Sequence, residues 1–222
     1  MKLLSGLFNR YCGVLGIRDA AMLIYSNMLN NAAYDVMRFV LAILGFDTMN
    51  IFGVALVYIS YALSSMAQLL GGVIIDVLGR ERRALVVSNF LMALLYIVAS
   101  IVLFIMEINA LSLMLALVII IIGVSMYWAM GTMRGALIKV LLNNDAEKIR
   151  LYASLNNMLR SLTSVILAVI SGYLLFLNIY TARYLILSSA TLSIMALIPL
   201  TLMRHHVESW INLVPRLLGR LH

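Results

Sequence analysis

The chain has 222 residues, 64% of them hydrophobic and only 11% charged, with a mean hydropathy of +1.05. Soluble domains carry roughly 25% charged residues, and no soluble core hides this much apolar surface, so the composition excludes a soluble globular domain and points to lipid as solvent. The net charge of +7 is spread over several loops, which argues against a nucleic-acid partner and for membrane orientation.

Taken in chain order, residues 1–18 place Lys2, Arg10 and Arg18 at intervals that break up any signal-peptide core. Leu3, Leu4, Leu7, Phe8, Tyr11 and Leu15 recur at helical spacing, consistent with an amphipathic helix at the membrane interface or with a loose tail. Six apolar segments then follow, about 20–45, 50–76, 84–105, 110–139, 149–176 and 182–203, each near the ~20 residues a helix needs to cross the hydrocarbon layer. Short connections separate them, among them Gly45-Phe46-Asp47, Glu107-Ile108-Asn109 and Leu177-Asn178. The first segment carries Asn27, Asn31, Asp35 and Arg38 at 4-4-3 spacing, which puts all four on one helical face. An ionised group facing lipid costs at least about 2.5–3.5 kcal/mol, so this face should meet water or other helices. It is either a solute or proton site or an Asp35–Arg38 pair that neutralises itself.

The second segment presents Tyr61, Ser65, Gln68 and Gly72 on one side, a pattern that simple helix packing also explains. The fourth presents Tyr127, Gly131 and Arg134, with Arg134 close enough to its end to snorkel to the headgroups. The fifth presents Asn156, Arg160 and Thr163, with Arg160 too deep to snorkel easily. One acid against three arginines inside the spans favours an anionic solute, and Asp35 is the one carboxylate well inside a span. After the sixth segment, Trp210, Leu213, Val214, Leu217 and Leu221 form an apolar stripe with Arg216 and Arg220 elsewhere, suggesting a second amphipathic helix on the inner leaflet.

Between the second and third segments runs Gly-Val-Ile-Ile-Asp-Val-Leu-Gly-Arg-Glu-Arg-Arg, residues 72–83. This resembles motif A of the major facilitator superfamily of secondary transporters, matched at Gly72, Asp76, Gly79, Arg80, Arg82 and Arg83 and departing from it at Val77 and Glu81. The resemblance spans roughly residues 18–204. It implies an all-α, six-transmembrane-helix bundle like one half of that fold, built from two inverted three-helix units. It also implies that the motif acts as a cytoplasmic gate. Gly72 should let its helix approach a neighbour closely and Gly79 should permit the reversal. Asp76 should meet a helix N-terminus, and the arginines should bind lipid phosphates or pair with Asp145 and Glu147. The glycine of the superfamily's motif B has a counterpart in Gly123, without that motif's arginine, and the Gly-Pro pair of its antiporter motif is missing.

Lys2, Arg10 and Arg18, Arg80, Arg82 and Arg83, Lys139, Lys148 and Arg150, and Arg204, Arg216 and Arg220 all fall on one side of the proposed bundle, so both termini should be cytoplasmic. The expected organisation is an interfacial N-terminus over 1–18, a transmembrane domain over 19–204 and an amphipathic cytoplasmic tail over 205–222. One cysteine, Cys12, allows no intrachain disulfide, and the histidines His205, His206 and His222 lie in the tail. No metal or other cofactor is expected. No nucleotide-binding loop or nucleophile elbow appears either, so an enzyme is not expected. The resulting expectation is a half-size secondary transporter of the cell membrane that moves a small anionic solute by alternating access, with Asp35 as the candidate proton carrier if transport is proton-coupled. Its partners would be lipid and either a second copy or a separate C-terminal six-helix half. The alternative is a non-transporting interaction protein or a truncated remnant.

Overall fold

The computed structural model describes Tyr11, residues 13–78 and residues 81–203. Gly79, Arg80, the amphipathic tail over 205–222 and most of the N-terminal segment lie outside the described residues. Within them the chain is all helix, with no strand. Five helical runs are long and apolar enough to cross a membrane: Arg18–Val77, Glu81–Ile105, Ala110–Leu141, Ala146–Leu177 and Thr181–Leu202.

The first run, 60 residues, would be about 90 Å long if straight. It is not straight, because Asn50 takes φ 55° and ψ −145° inside Arg18–Ser65 and the chain doubles back there. A Cβ on Gly45 would lie 2.8 Å from the carbonyl carbon of Gly53, and one on Gly53 would overlap the Gly45 carbonyl. Residues eight apart on a straight helix are separated by about 12 Å. Likewise Tyr34 and Tyr61 meet with ring centroids 5.3 Å apart, against about 40 Å along a straight helix. The run is therefore an antiparallel pair, α1 (18–49) and α2 (51–65). The sequence placed the turn at Gly45-Phe46-Asp47; the reversal falls a turn later because Gly45 serves as the packing face against Gly53, leaving Asn50, a residue type that tolerates positive φ, to make the corner.

α2 passes through a 3-10 turn (Met66–Leu69) into α3 (Leu70–Leu78). A Cβ on Gly71 would overlap the Ala129 carbonyl and lie 2.8 Å from the Thr132 Cβ, and Thr132 Oγ1 donates to the Gln68 carbonyl at 2.8 Å. The close approach expected at Gly72 thus belongs to Gly71; a Cβ on Gly72 would meet open space. After α3 come α4 (Glu81–Ile105), α5 (Ala110–Leu141), α6 (Ala146–Leu177), α7 (Thr181–Met195) and α8 (Leu197–Leu202).

Local chemistry explains the ends. Asn109 and Ser112 form a reciprocal capping box at the start of α5. Asn143 and Asn144 take φ of 52° and 56° in the α5–α6 turn, and the Asp145 side chain caps α6 by accepting from the N–H groups of Glu147 and Lys148. Pro199 has no N–H to give the Met195 carbonyl, and the last segment accordingly breaks at Ala196 into α7 and α8.

Lipid is as apolar as a leucine side chain, so association of such helices rests on close packing of small residues. Small residues are buried on both α4 and α5, among them Ala84, Ser88, Ala99, Ser100, Ala116 and Gly123, and a Cβ on Gly123 of α5 would come within 3.1 Å of the Tyr96 ring of α4. α4 and α7–α8 run antiparallel and are tied at both ends. Arg82, in the first turn of α4, donates to the carbonyls of Leu200 (3.1 Å) and Thr201 (2.6 Å) at the end of α8. Arg183, in the first turn of α7, donates to the Met106 carbonyl just past α4 at 3.2 Å. The two ties are reciprocal: an arginine near the start of each helix holds the end of the other.

Candidate functional site

α6 packs on α1 and α7 and stands off α5, to which a short turn joins it. The gap is a cavity of about 300 Å³. Its α5 wall runs from Tyr127 through Gly131, Arg134 and Gly135 to Ile138. Its α6 wall runs from Ile149 through Tyr152, Ala153 and Asn156 to Arg160, and α1 contributes Asn27 and Asn31. Gln68 of the 3-10 turn and Trp128 complete it. The spacing i, i+4, i+8 of Tyr152, Asn156 and Arg160 turns one polar stripe of α6 to this space. Gly131, Gly135, Ala153 and Asn157 are exposed, so the cavity is open along this flank and toward the α5–α6 turn.

Two cross-helix hydrogen bonds fix the walls. Asn27 Nδ2 donates to Asn156 Oδ1, joining α1 to α6, and the Tyr127 hydroxyl donates to Asn31 Oδ1, joining α5 to α1. The deep end is aromatic. Tyr34 stacks on Tyr127 at 4.5 Å and meets Tyr61 and Trp128 edge-on at 5.3 and 6.0 Å.

The charges are unbalanced. Arg134 lies over the Tyr127 ring, 5.6 Å from its centroid, and donates weakly to Met130 Sδ at 3.9 Å. It therefore turns into the cavity rather than out to the headgroups that the sequence had suggested. Arg160 has no hydrogen bond or ion pair to any described residue. Among the described residues no carboxylate lines the cavity. Two buried donors of the lining are also unmatched: Asn31 Nδ2 and Trp128 Nε1.

Six of the eight pathway residues expected from the sequence meet here: Asn27, Asn31, Tyr127, Arg134, Asn156 and Arg160. Asp35 and Arg38 do not line the cavity. Asp35 is buried, and Arg38 approaches it at 3.6 Å while lying over the rings of Tyr34 and Phe39. Of the two readings of that pair, the geometry is that of the self-neutralising one. Thr163, on the expected stripe of α6, donates to its own helix at Leu159. Trp128, Tyr152 and Asn157 were not anticipated; the Tyr152-Asn156-Arg160 spacing was the signal that could have found the second of these.

In the motif loop, Asp76 and Arg83 are exposed and Arg82 caps α8. Asp145, one of the acids expected to pair with these arginines, caps α6 and pairs with Lys148 at 3.2 Å. Among the described residues no cluster of histidine, cysteine and acid side chains could hold a metal ion. Family models, curated proteins and solved structures were each compared with the chain, and none matches it.

Proposed function

We propose that this chain is a six-span bundle of the major-facilitator type, with both termini cytoplasmic, that serves as one half of a secondary transporter for small anionic solutes. The observation that carries the reading is the cavity between α1, α5 and α6, which holds two guanidinium groups and no acid among the described residues. A cation held at the centre of a membrane helix costs about 2.5–3.5 kcal/mol even with local relaxation. A pair of them turned to a shared open space is the arrangement a solute anion would complete.

Three further features support it. Dividing the first run at Asn50 gives six segments. The reciprocal arginine ties between α4 and α7–α8, with Tyr34 of α1 stacked on Tyr127 of α5, agree with two inverted three-helix units. Positive-inside orientation puts the α5–α6 turn, and so the open end of the cavity, on the cytoplasmic side, an inward-open arrangement.

The cavity is open along one flank, so a second bundle, either another copy or a separate C-terminal half, closes it. The exposed apolar rows Met158, Leu162, Val165 and Val169 of α6 and Tyr58, Ile59 and Leu63 of α2 face that partner or lipid. Reconstituted into proteoliposomes, the chain with its partner bundle takes up small anions against a control of empty liposomes, and native mass in detergent exceeds that of one chain. A strictly monomeric particle with no uptake of any anion would leave only the interaction-protein reading.

A further inference from the structure

The cavity specifies more than a sign of charge. Arg134 is engaged only by neutral groups, a tyrosine ring and a thioether, and Arg160 by none among the described residues. Asp35, a buried acid of α1 that is not part of the lining, is already approached by Arg38 at 3.6 Å. The space therefore carries two uncompensated positive charges, and a monoanion would leave one of them unpaired in a medium where that is costly. Each guanidinium is a planar fork suited to two oxygens of a phosphate or carboxylate.

The rest of the lining sets amide side chains among aromatic and aliphatic ones. Asn27, Asn31, Asn156, Asn157 and Gln68 supply neutral donors and acceptors, and Trp128 Nε1 and Asn31 Nδ2 are buried with nothing to bond. Buried donors left unpaired are costly, and hydroxyl oxygens would match them. A volume of about 300 Å³ is at the small end of ligand sites.

We infer that the cavity binds a small dianion with a hydroxylated body, its doubly charged oxyanion chemistry taken by Arg134 and Arg160 and its hydroxyl groups by the amide row and Trp128. The inference rests on the reading of this cavity as the solute site. A phosphomonoester of a short polyol and a short hydroxydicarboxylate share this chemistry.

The test is isothermal titration of the full chain in detergent with glycerol phosphate, malate, succinate, acetate and glycerol. Glycerol phosphate or malate should bind at least about tenfold more tightly than acetate or glycerol, and malate more tightly than succinate, which lacks the hydroxyl. The stronger of glycerol phosphate and malate distinguishes a phosphate from a carboxylate ligand. Arg160→Gln and Arg134→Gln should each weaken that ligand by about tenfold or more; Arg160→Lys, which keeps the charge but loses the fork, should weaken it less. Equal binding of acetate and malate overturns the inference, as does binding of glycerol phosphate and malate that neither glutamine variant changes. Because the ligand series is run on the unaltered chain, a variant that fails to fold leaves the result intact. Dianion binding without uptake in proteoliposomes would refute the transport reading and keep this one; uptake of a monoanion such as acetate with no dianion binding would do the reverse.

Discussion

Replacing Arg82 by Gln should loosen the α4–α8 contact by a calculable amount. Arg82 Nε reaches the Leu200 carbonyl at 3.1 Å and a terminal nitrogen reaches Thr201 at 2.6 Å, both in the last turn of α8. Hydrogen bonds to a charged group contribute about 1.5–3 kcal/mol each. One of the two is exposed to solvent and is discounted accordingly, leaving about 2 kcal/mol for the pair. Arg183 makes one longer bond, 3.2 Å to Met106, and Arg183→Gln should cost about 1 kcal/mol. The ties sit at opposite ends of a 25-residue helix, about 37 Å apart, so the double variant should lose about 3 kcal/mol with a coupling below about 0.5 kcal/mol. Arg82→Lys keeps a cation near the helix C-terminus but offers no fork, and should recover about half of the loss. Equilibrium unfolding in mixed micelles, followed by helicity, measures all four variants. If Arg82→Gln is neutral while Arg183→Gln destabilises, or if Arg82→Lys equals the parent, capping of α8 is not what the motif arginine does.

Asp35→Asn would leave Arg38 unmatched, and breaking a buried pair typically costs about 3–5 kcal/mol; Arg38 keeps part of its exposure, so the lower end is expected, and Asp35→Asn with Arg38→Gln should be milder than Asp35→Asn alone in the same unfolding assay. If Asp35 also carries the proton, Asp35→Asn abolishes the effect of a pH gradient on uptake in proteoliposomes, and unchanged proton-coupled uptake would refute that role. The N-cap Asp145 gives a pH prediction. The Lys148 backbone N–H, then the Lys148 side chain, hold its carboxyl below the usual range. Its folded pKa is thus depressed relative to the unfolded chain, so its contribution is fully present above the ordinary aspartate value of about 3.9. It is lost as pH falls through the lowered folded value. Asp145→Asn keeps a capping oxygen and should flatten the acid limb of helicity against pH; an unaltered limb would show that the cap does not titrate there.

Much of the helical layout was legible because long apolar runs leave a strong sequence signal. The segments expected at 84–105, 110–139 and 149–176 appear as Glu81–Ile105, Ala110–Leu141 and Ala146–Leu177. Long apolar runs bounded by Asn, Asp and Gly have little other choice. Corners were less legible. The turn at Asn50 rather than Gly45, and the close approach at Gly71 rather than Gly72, depend on which glycine faces a neighbouring backbone, and adjacent glycines look alike in a sequence. In the cavity, i, i+4 spacing brought Asn27 and Asn31, and Asn156 and Arg160, onto their correct faces. The same spacing carried Asp35 and Arg38 along with them, although they lie about 6 and 10 Å further along the helix than Asn31 and their mutual attraction at i, i+3 draws them to each other. Arg82 was expected to seek acids or phosphates. The unpaired carbonyls at the end of α8 are invisible to any pattern of side chains, and Pro199 was the one hint that this helix ends awkwardly.

The aromatic floor sets what a transport cycle would have to do. Tyr127 is the deepest α5 residue of the cavity, and Tyr34, Tyr61 and Trp128 gather about it. Release toward the other side requires these rings to part. Aromatic pairs contribute about 0.5–1.5 kcal/mol each beyond their buried area, so the three contacts of Tyr34 oppose opening by about 2–4 kcal/mol. A solute reverses such an equilibrium only through a difference in affinity between the two states, and about 5.5 kcal/mol carries a pair of states from 1:99 to 99:1. Two guanidinium forks closing on a dianion are of the right size, provided they close in one state and not the other. In mechanical terms, α4 and α7–α8 are strapped together at both ends, whereas α6, which bears Arg160, stands off the α5 helix that bears Arg134. A ligand drawing those two arginines together would pull on the least constrained helix pair in the bundle, and on Tyr127 through the guanidinium that covers its ring.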